Sequence, residues 1–302
     1  METDSNAGSK SRQLWRFGLI FLLLIALAFV LSMQFFKSAP AIKPSPSAQA
    51  NVSVLTEKFV IPGLQRERQI RLYLPPDYAT SDKRYPVLYM HDGQNLFDAA
   101  TAYAGEWGVD EIMNVLARAS RLELIVVGVD NGGEKRMTEL NPWTHADFGQ
   151  AEGQAYMDFI VKVVKPRIDQ EYRTKSDRLN TAIMGSSMGG PISHYAIAQY
   201  PDVFSKAGIF SPAYWVSGPG FDYFAKVKMQ PDARLYFLMG GDEGGSQVPD
   251  VKKVFETVRA NGHPVQEMSL KITPGGQHNE AFWRGEFEQA ILWMFAEPRP
   301  AN

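Results

Sequence analysis

The chain has 302 residues, 45% of them hydrophobic and 21% charged, with 31 basic and 33 acidic side chains. That profile belongs to a folded globular protein, and a formal charge of −2 gives none of the basic footprint that nucleic-acid binders carry. The absence of cysteine excludes a disulfide scaffold, a cysteine-ligated zinc site, an iron–sulfur cluster and a thiol nucleophile.

The first fifty residues differ from the rest. Residues 17–36 carry no charge and are apolar except for Gly18, Ser32 and Gln34. A helix of that length spans roughly 30 Å, the thickness of a hydrocarbon core. Lys10, Arg12 and Arg16 precede the run, while Lys37 and Lys43 follow it. This modest bias predicts a cytoplasmic N-terminus, a membrane-spanning signal anchor within residues 1–36 and an extracytoplasmic body, periplasmic in a Gram-negative cell. The alternative is secretion after cleavage, because Ala39-Pro40-Ala41 and Ala48-Gln49-Ala50 both carry the small-x-small pattern of a cleavage site. Proline, serine and alanine make residues 37–51 a stiff linker. The body, residues 52–298, is mildly acidic: beyond residue 50 there are 26 basic and 31 acidic groups.

Along the body, residues 52–61 and 68–74 read as an antiparallel pair around the turn signal Pro62-Gly63. Strands are then expected at 86–91, 123–129, 180–185, 206–210, 234–239 and 266–272. Helices are expected at 108–119, 152–172, 191–200, 248–261 and 280–295, the second kinked or split by Pro166. Strands alternating with helices predict a mostly parallel sheet covered on both faces, in one α/β domain.

Gly185-Ser186-Ser187-Met188-Gly189 fits the pattern G-x-S-x-G. It directly follows an expected strand and precedes an expected helix, which is the setting of a nucleophile elbow, so Ser187 is the candidate nucleophile. A serine hydroxyl needs a base, and chain order places that base after the last strand. His278, in Gly275-Gly276-Gln277-His278-Asn279-Glu280, is the candidate there. The acid that orients it is expected after the strand at 234–239, where Asp242 and Glu243 compete; the offset from the preceding glycine favours Glu243. The tetrahedral intermediate needs two backbone N–H donors, expected from Met188 and from Gln94 in the loop His91-Asp92-Gly93-Gln94-Asn95. His91 is expected to shape that loop and His194 to be packed, while His145 and His263 read as loop residues.

With these residues in place, the chain resembles the putative-esterase family of α/β-hydrolases. The resemblance rests on Tyr73–Tyr78 (YLPPDY), Tyr89–Phe97 (YMHDGQNLF), Gly128–Pro142 (GVDNGGEKRMTELNP), Gly185–Gly190 (GSSMGG) and Gly275–Trp283 (GGQHNEAFW), in that order. The family includes esterase D-like enzymes, siderophore trilactone esterases, and feruloyl and acetyl-xylan esterases. The resemblance therefore implies an α/β-hydrolase fold and serine carboxylic-ester hydrolysis through an acyl-enzyme, with no metal and no organic cofactor. Small esters of siderophore or aryl type are the implied substrates. Trp107, Trp143, Tyr214, Trp215 and Trp283 are candidate platforms for an aryl group. Arg136 either contacts an anionic or catecholate substrate or pairs with Glu139. Two rival readings use the same fold: an acyltransferase on the same Ser–His–acid site, and a catalytically silent binding protein.

Overall fold

The computed structural model describes residues 44–296. The expected span at 17–36 lies outside them, as does the end of the expected body beyond residue 296. Among the described residues no helix is long and apolar enough to cross a membrane.

The strands are β1 (Val52–Val54), β2 (Phe59–Ile61), β3 (Arg66–Arg68), β4 (Ile70–Tyr73), β5 (Val87–His91), β6 (Ile125–Val129), β7 (Thr181–Ser186), β8 (Lys206–Phe210), β9 (Arg234–Gly240) and β10 (Met268–Thr273). Eight of them form one sheet in the order β1-β4-β6-β5-β7-β8-β9-β10. The pairs β1–β4 and β4–β6 are antiparallel, and every pair from β6 to β10 is parallel. This mostly parallel sheet with helices on both faces is an α/β-hydrolase fold.

Every residue of β5, β6, β7 and β8 is buried, as strands covered on both faces must be. Their side chains alternate between two cores. Tyr89, Val127, Ile183 and Ile209 face one layer, packed by the helices Gly153–Phe159, Gly189–Gln199, Gly218–Lys226 and Gln247–Ala260. Leu88, Val126, Met184 and Phe210 face the other, beneath the helices Val109–Arg118 and Glu280–Phe295.

Three local departures from the expected elements have physical causes. The first β-rich run splits: Val52–Val54 joins the main sheet, while Phe59–Ile61 turns back on Arg66–Arg68 as a separate hairpin. The long helix expected over 152–172 passes through a π-helical segment, Ile160–Val164, immediately before Lys165–Glu171. Pro166 has no N–H for the carbonyl four residues back and its ring crowds that carbonyl, so the hydrogen-bond register slips by one. A helix that was not expected, Gly218–Lys226, forms with Pro219 in its first turn, where proline loses no hydrogen bond.

The expected linker also behaves differently at its end. Ser47 N–H donates to Asp98 (3.1 Å), Gln49 N–H to Asp110 (2.8 Å) and Asn51 Nδ2 to the Leu74 carbonyl (2.6 Å). Residues 47–51 are thus strapped to the body.

Candidate active site

The parallel strands deliver their C-terminal ends to one edge of the sheet, where open α/β folds place their sites. His91 ends β5, Ser186 ends β7, Gly240 ends β9 and Thr273 ends β10. The loops that follow carry the candidate residues.

Ser187 leaves β7 in the left-handed conformation, with φ of 57°, and the helix Gly189–Gln199 begins two residues later. Non-glycine residues adopt that region rarely, and here three backbone bonds impose it. Ser187 N–H donates to the Phe210 carbonyl (3.0 Å), while its own carbonyl accepts from Ala213 (3.0 Å) and Gly190 (3.2 Å). The turn needs glycine at position 185, because a Cβ there would lie 2.8 Å from the His91 ring and 2.9 Å from Gly189 Cα. Ser187 itself remains partly exposed.

The loops after β9 and β10 are laced together. Gly241 N–H donates to Thr273 (2.8 Å) and Asp242 N–H to Gly276 (3.0 Å). This brings His278 Nδ1 to 2.6 Å from Glu243 Oε2. The Glu243 side chain is fully buried and the His278 side chain about one-third exposed, so the acid is dry and the imidazole is open on one side. The second Glu243 oxygen accepts from Gly240 N–H (2.9 Å) and from the Ser211 hydroxyl, which in turn accepts from Trp283 Nε1 (2.8 Å). Glu243 is therefore fixed in place through both oxygens. Asp242, its competitor, is exposed and meets the opposite loop only through its backbone N–H. Ser211 and Trp283 hold the acid, a role that the sequence spacing did not reveal for either.

The loop after β5 is anchored by charge. Asp92 is buried with φ of 56°. It accepts from Arg136 Nε (2.6 Å), Arg136 Nη2 (2.8 Å) and Asn131 Nδ2 (2.5 Å). Burial alone would raise the Asp92 carboxyl, but the Arg136 charge and these hydrogen bonds hold it below its ordinary value. Gln94 Oε1 accepts from Asn131 N–H (3.1 Å), tying the same two loops again. A Cβ on Gly93 would sit 2.7–2.9 Å from Gly128 and Asp130, so only glycine allows this approach. Gln94 lies in the short 3₁₀ turn Gly93–Asn95, and Met188 stands at the cap of the helix Gly189–Gln199. First-turn N–H groups have no partner inside their own helix, which suits both as donors.

Two side chains expected at the substrate, Arg136 and Trp107, are engaged by other residues of the body. Arg136 grips Asp92 and lies 3.5 Å from the Ser186 carbonyl, while Glu139 pairs with Arg66 and Arg68. Trp107 is buried, stacked on Phe210 at 5.3 Å and tilted against Trp283 at 5.6 Å. Its bulk fills the core beneath the helices Val109–Arg118 and Glu280–Phe295. Tyr214 and Trp283 are buried as well. Trp215, by contrast, is 52% exposed beside Phe148.

The remaining histidines are explained by packing. His91 Nδ1 is hydrogen-bonded to the Tyr156 hydroxyl (2.9 Å), and burial pushes the imidazole down to about 4. His194 lies flat on Phe224 at 3.7 Å and bonds Tyr214 (2.9 Å); burial takes it down to about 3. His263 is buried on the Ala233 carbonyl (2.8 Å), and His145 bonds Gly149 through its backbone.

Fold and site together define an α/β-hydrolase with its candidate residues on the loops above the sheet. The model of the family described as "Putative esterase" matches residues 61–294, and the chain belongs to that family. It is accordingly an ester hydrolase whose substrates are small-molecule esters. The chain is 27% identical over 247 residues to the Bacillus subtilis protein YbbA, covering 77% of this chain and 94% of that one. It is 24% identical over 229 residues to an endo-1,4-beta-xylanase/feruloyl esterase of Xylanibacter ruminicola, covering 74% of this chain and 29% of that one. Among solved structures it is similar to the enterobactin esterase FES of Shigella flexneri, with a TM-score of 0.64 and 18% identity, covering 83% of this chain and 61% of that one. At that identity the structural likeness speaks for the fold.

Proposed function

We propose that the protein is a serine esterase working through an acyl-enzyme. The single observation that carries this reading is the 2.6 Å contact from His278 to the buried, doubly held Glu243, on loops beside the left-handed turn at Ser187. His278 Nε2 takes the proton of the Ser187 hydroxyl as its oxygen attacks the ester carbonyl carbon. Glu243 fixes the imidazole tautomer and stabilises the cation. The N–H groups of Met188 and Gln94 hold the oxyanion. Collapse breaks the bond to the leaving alcohol, which takes the proton from His278. Water, deprotonated by the same imidazole, then releases the acid and restores Ser187.

The substrate reading is a small ester with an aryl acyl group. Its support is the exposed Trp215 beside Phe148, together with relatives described as acting on feruloyl esters and enterobactin. The site is further proposed to face an extracytoplasmic space. The support is the uncharged stretch 17–36, with residues 1–36 as cytoplasmic tail and anchor, ahead of a linker and the body.

The test is hydrolysis of p-nitrophenyl acetate, butyrate and octanoate by the detergent-solubilised full chain, beside Ser187→Ala. Removing the nucleophile of a triad costs roughly six orders of magnitude in kcat. Wild-type turnover with a silent variant, and fluorophosphonate labelling that requires Ser187, support the mechanism. Equal rates in the two proteins, or labelling at another residue, refute it.

A further inference from the structure

Three carboxylates converge where the helix Val109–Arg118 begins. Glu106, Asp110 and Glu111 each offer an oxygen, and these oxygens lie within 4.8 Å of one another. Asp110 is fully buried and the Glu106 side chain is only 7% exposed. Asp110 Oδ2 accepts the Gln49 N–H, but Asp110 Oδ1, Glu106 Oε1 and Glu111 Oε2 are buried oxygens that no donor among the described residues reaches. Arg284 stands nearby, 3.8 Å from Glu106 and 4.0 Å from Glu111, beyond hydrogen-bonding distance and half in solvent. With all three carboxylates ionised, one guanidinium leaves an excess of two negative charges. The positive end of the helix dipole suits acidic residues in the first turn, yet it supplies no donor to the three unpartnered oxygens.

Buried carboxylate oxygens without donors are costly unless they take up a proton or coordinate a cation. We propose that Glu106, Asp110 and Glu111 form a binding site for a hard divalent cation of the Ca²⁺ class, completed by water. The set is all oxygen, with no imidazole or thiolate to favour a transition metal. Oxygens this close fit around one ion with bonds of about 2.3–2.6 Å, and Ca²⁺ accepts irregular carboxylate cages, whereas Mg²⁺ holds its water and an octahedral shell.

The ion's role is structural. Ser47 and Gln49 of the strap bond Asp98 and Asp110, and Ala99 N–H returns a bond to the Ser47 hydroxyl (2.7 Å), so the cation would clamp the strap against residues 98–111. Glu106 adjoins Trp107, which packs on Trp283, the neighbour of His278 at 5.1 Å. The clamp thus supports the layer beneath the imidazole without touching substrate, and it does not depend on which ester is cleaved.

The test is thermal melting of the full chain in detergent after chelation, with Ca²⁺ or Mg²⁺ added back. A site of three carboxylates has a Kd of roughly 10⁻⁴–10⁻³ M, so 5 mM Ca²⁺ should raise Tm by about 3–8 °C. Glu106→Gln and Glu111→Gln should each lose that rise, and in EDTA should melt no lower than wild type, since one crowded charge is gone. Asp222→Asn, on an exposed helix position, should keep it. Tb³⁺ bound beside Trp107 should luminesce on tryptophan excitation, and Ca²⁺ should quench that emission by displacement. No Tm rise at 10 mM Ca²⁺ overturns the proposal, as does a rise that survives both substitutions, or an equal rise with Mg²⁺. If a variant fails to fold, absence of sensitised emission from the wild type overturns it equally.

Discussion

Replacing Arg136 with leucine separates a positioning role from a substrate-binding one. The guanidinium makes two hydrogen bonds to Asp92, whose side chain is 9% exposed, and removing it leaves a buried carboxylate with only Asn131 as donor. Breaking a buried pair by deleting one partner costs about 3–5 kcal/mol; with the Arg136 side chain 24% exposed, the lower end, about 3 kcal/mol, applies. For a body of this size that lowers Tm by roughly 6–12 °C. Asp92 also begins the turn that carries Gln94, so the donor loses its fixed aim. Outright loss of one oxyanion donor costs about 10²–10³ in kcat, and a loosened donor should cost about 10–100-fold with KM little changed. Asp92→Asn combined with Arg136→Leu leaves neither charge stranded, so the double variant should lose less stability than the two single losses added. The assay is urea melting together with kcat and KM for p-nitrophenyl acetate. A raised KM with unchanged kcat and stability would refute this account and return Arg136 to direct substrate contact.

Glu243→Gln should lower kcat by about 10⁴-fold, as loss of the orienting carboxylate does elsewhere, while Asp242→Asn in the same assay should leave it unchanged. Trp107→Ala should cost about 3–5 kcal/mol in urea melting, whereas Trp215→Ala should leave the melt alone and raise KM for aryl-acyl esters only. His91 and His194 bind protons more weakly folded, near 4 and 3, than unfolded, near 6.5, because burial disfavours their cations. Stability is therefore full above pH 6.5 and is lost as pH falls: between pH 7.5 and 5.5 each histidine should withdraw about 1 kcal/mol, and in pH-resolved melts His194→Gln should remove about half of the combined slope.

The middle of the sheet was legible because β5 and β6 are apolar almost throughout. Pro86-Val87-Leu88-Tyr89-Met90 and the run ending at Val129 can only be buried on both faces, and helical periodicity between such runs forces parallel crossovers. The elbow was legible because Gly185, Gly189 and Gly190 are small where His91 and Pro212 press close. Less legible was what each remaining polar residue faces. Arg136 has Glu139 three positions away in sequence, which is the natural local partner. The fold instead gives Glu139 to Arg66 and Arg68, both on β3 far upstream.

Register explains why those distant partners meet. His91 at the end of β5 lies opposite Val129 at the end of β6, so the loops Asp92–Asn95 and Asp130–Arg136 leave the sheet side by side. Ser186 lies opposite Phe210, Phe210 opposite Leu238, and Thr273 opposite Gly240, which stacks the loops of Ser187, Ser211, Glu243 and His278 along the same edge. Each loop is short, and parallel pairing fixes where it starts. The side chains therefore converge without any one segment of sequence encoding the contact. Asp92 with Arg136, and Ser211 with Trp283 under Glu243, are products of that edge, and so are beyond the reach of spacing rules applied to one segment at a time.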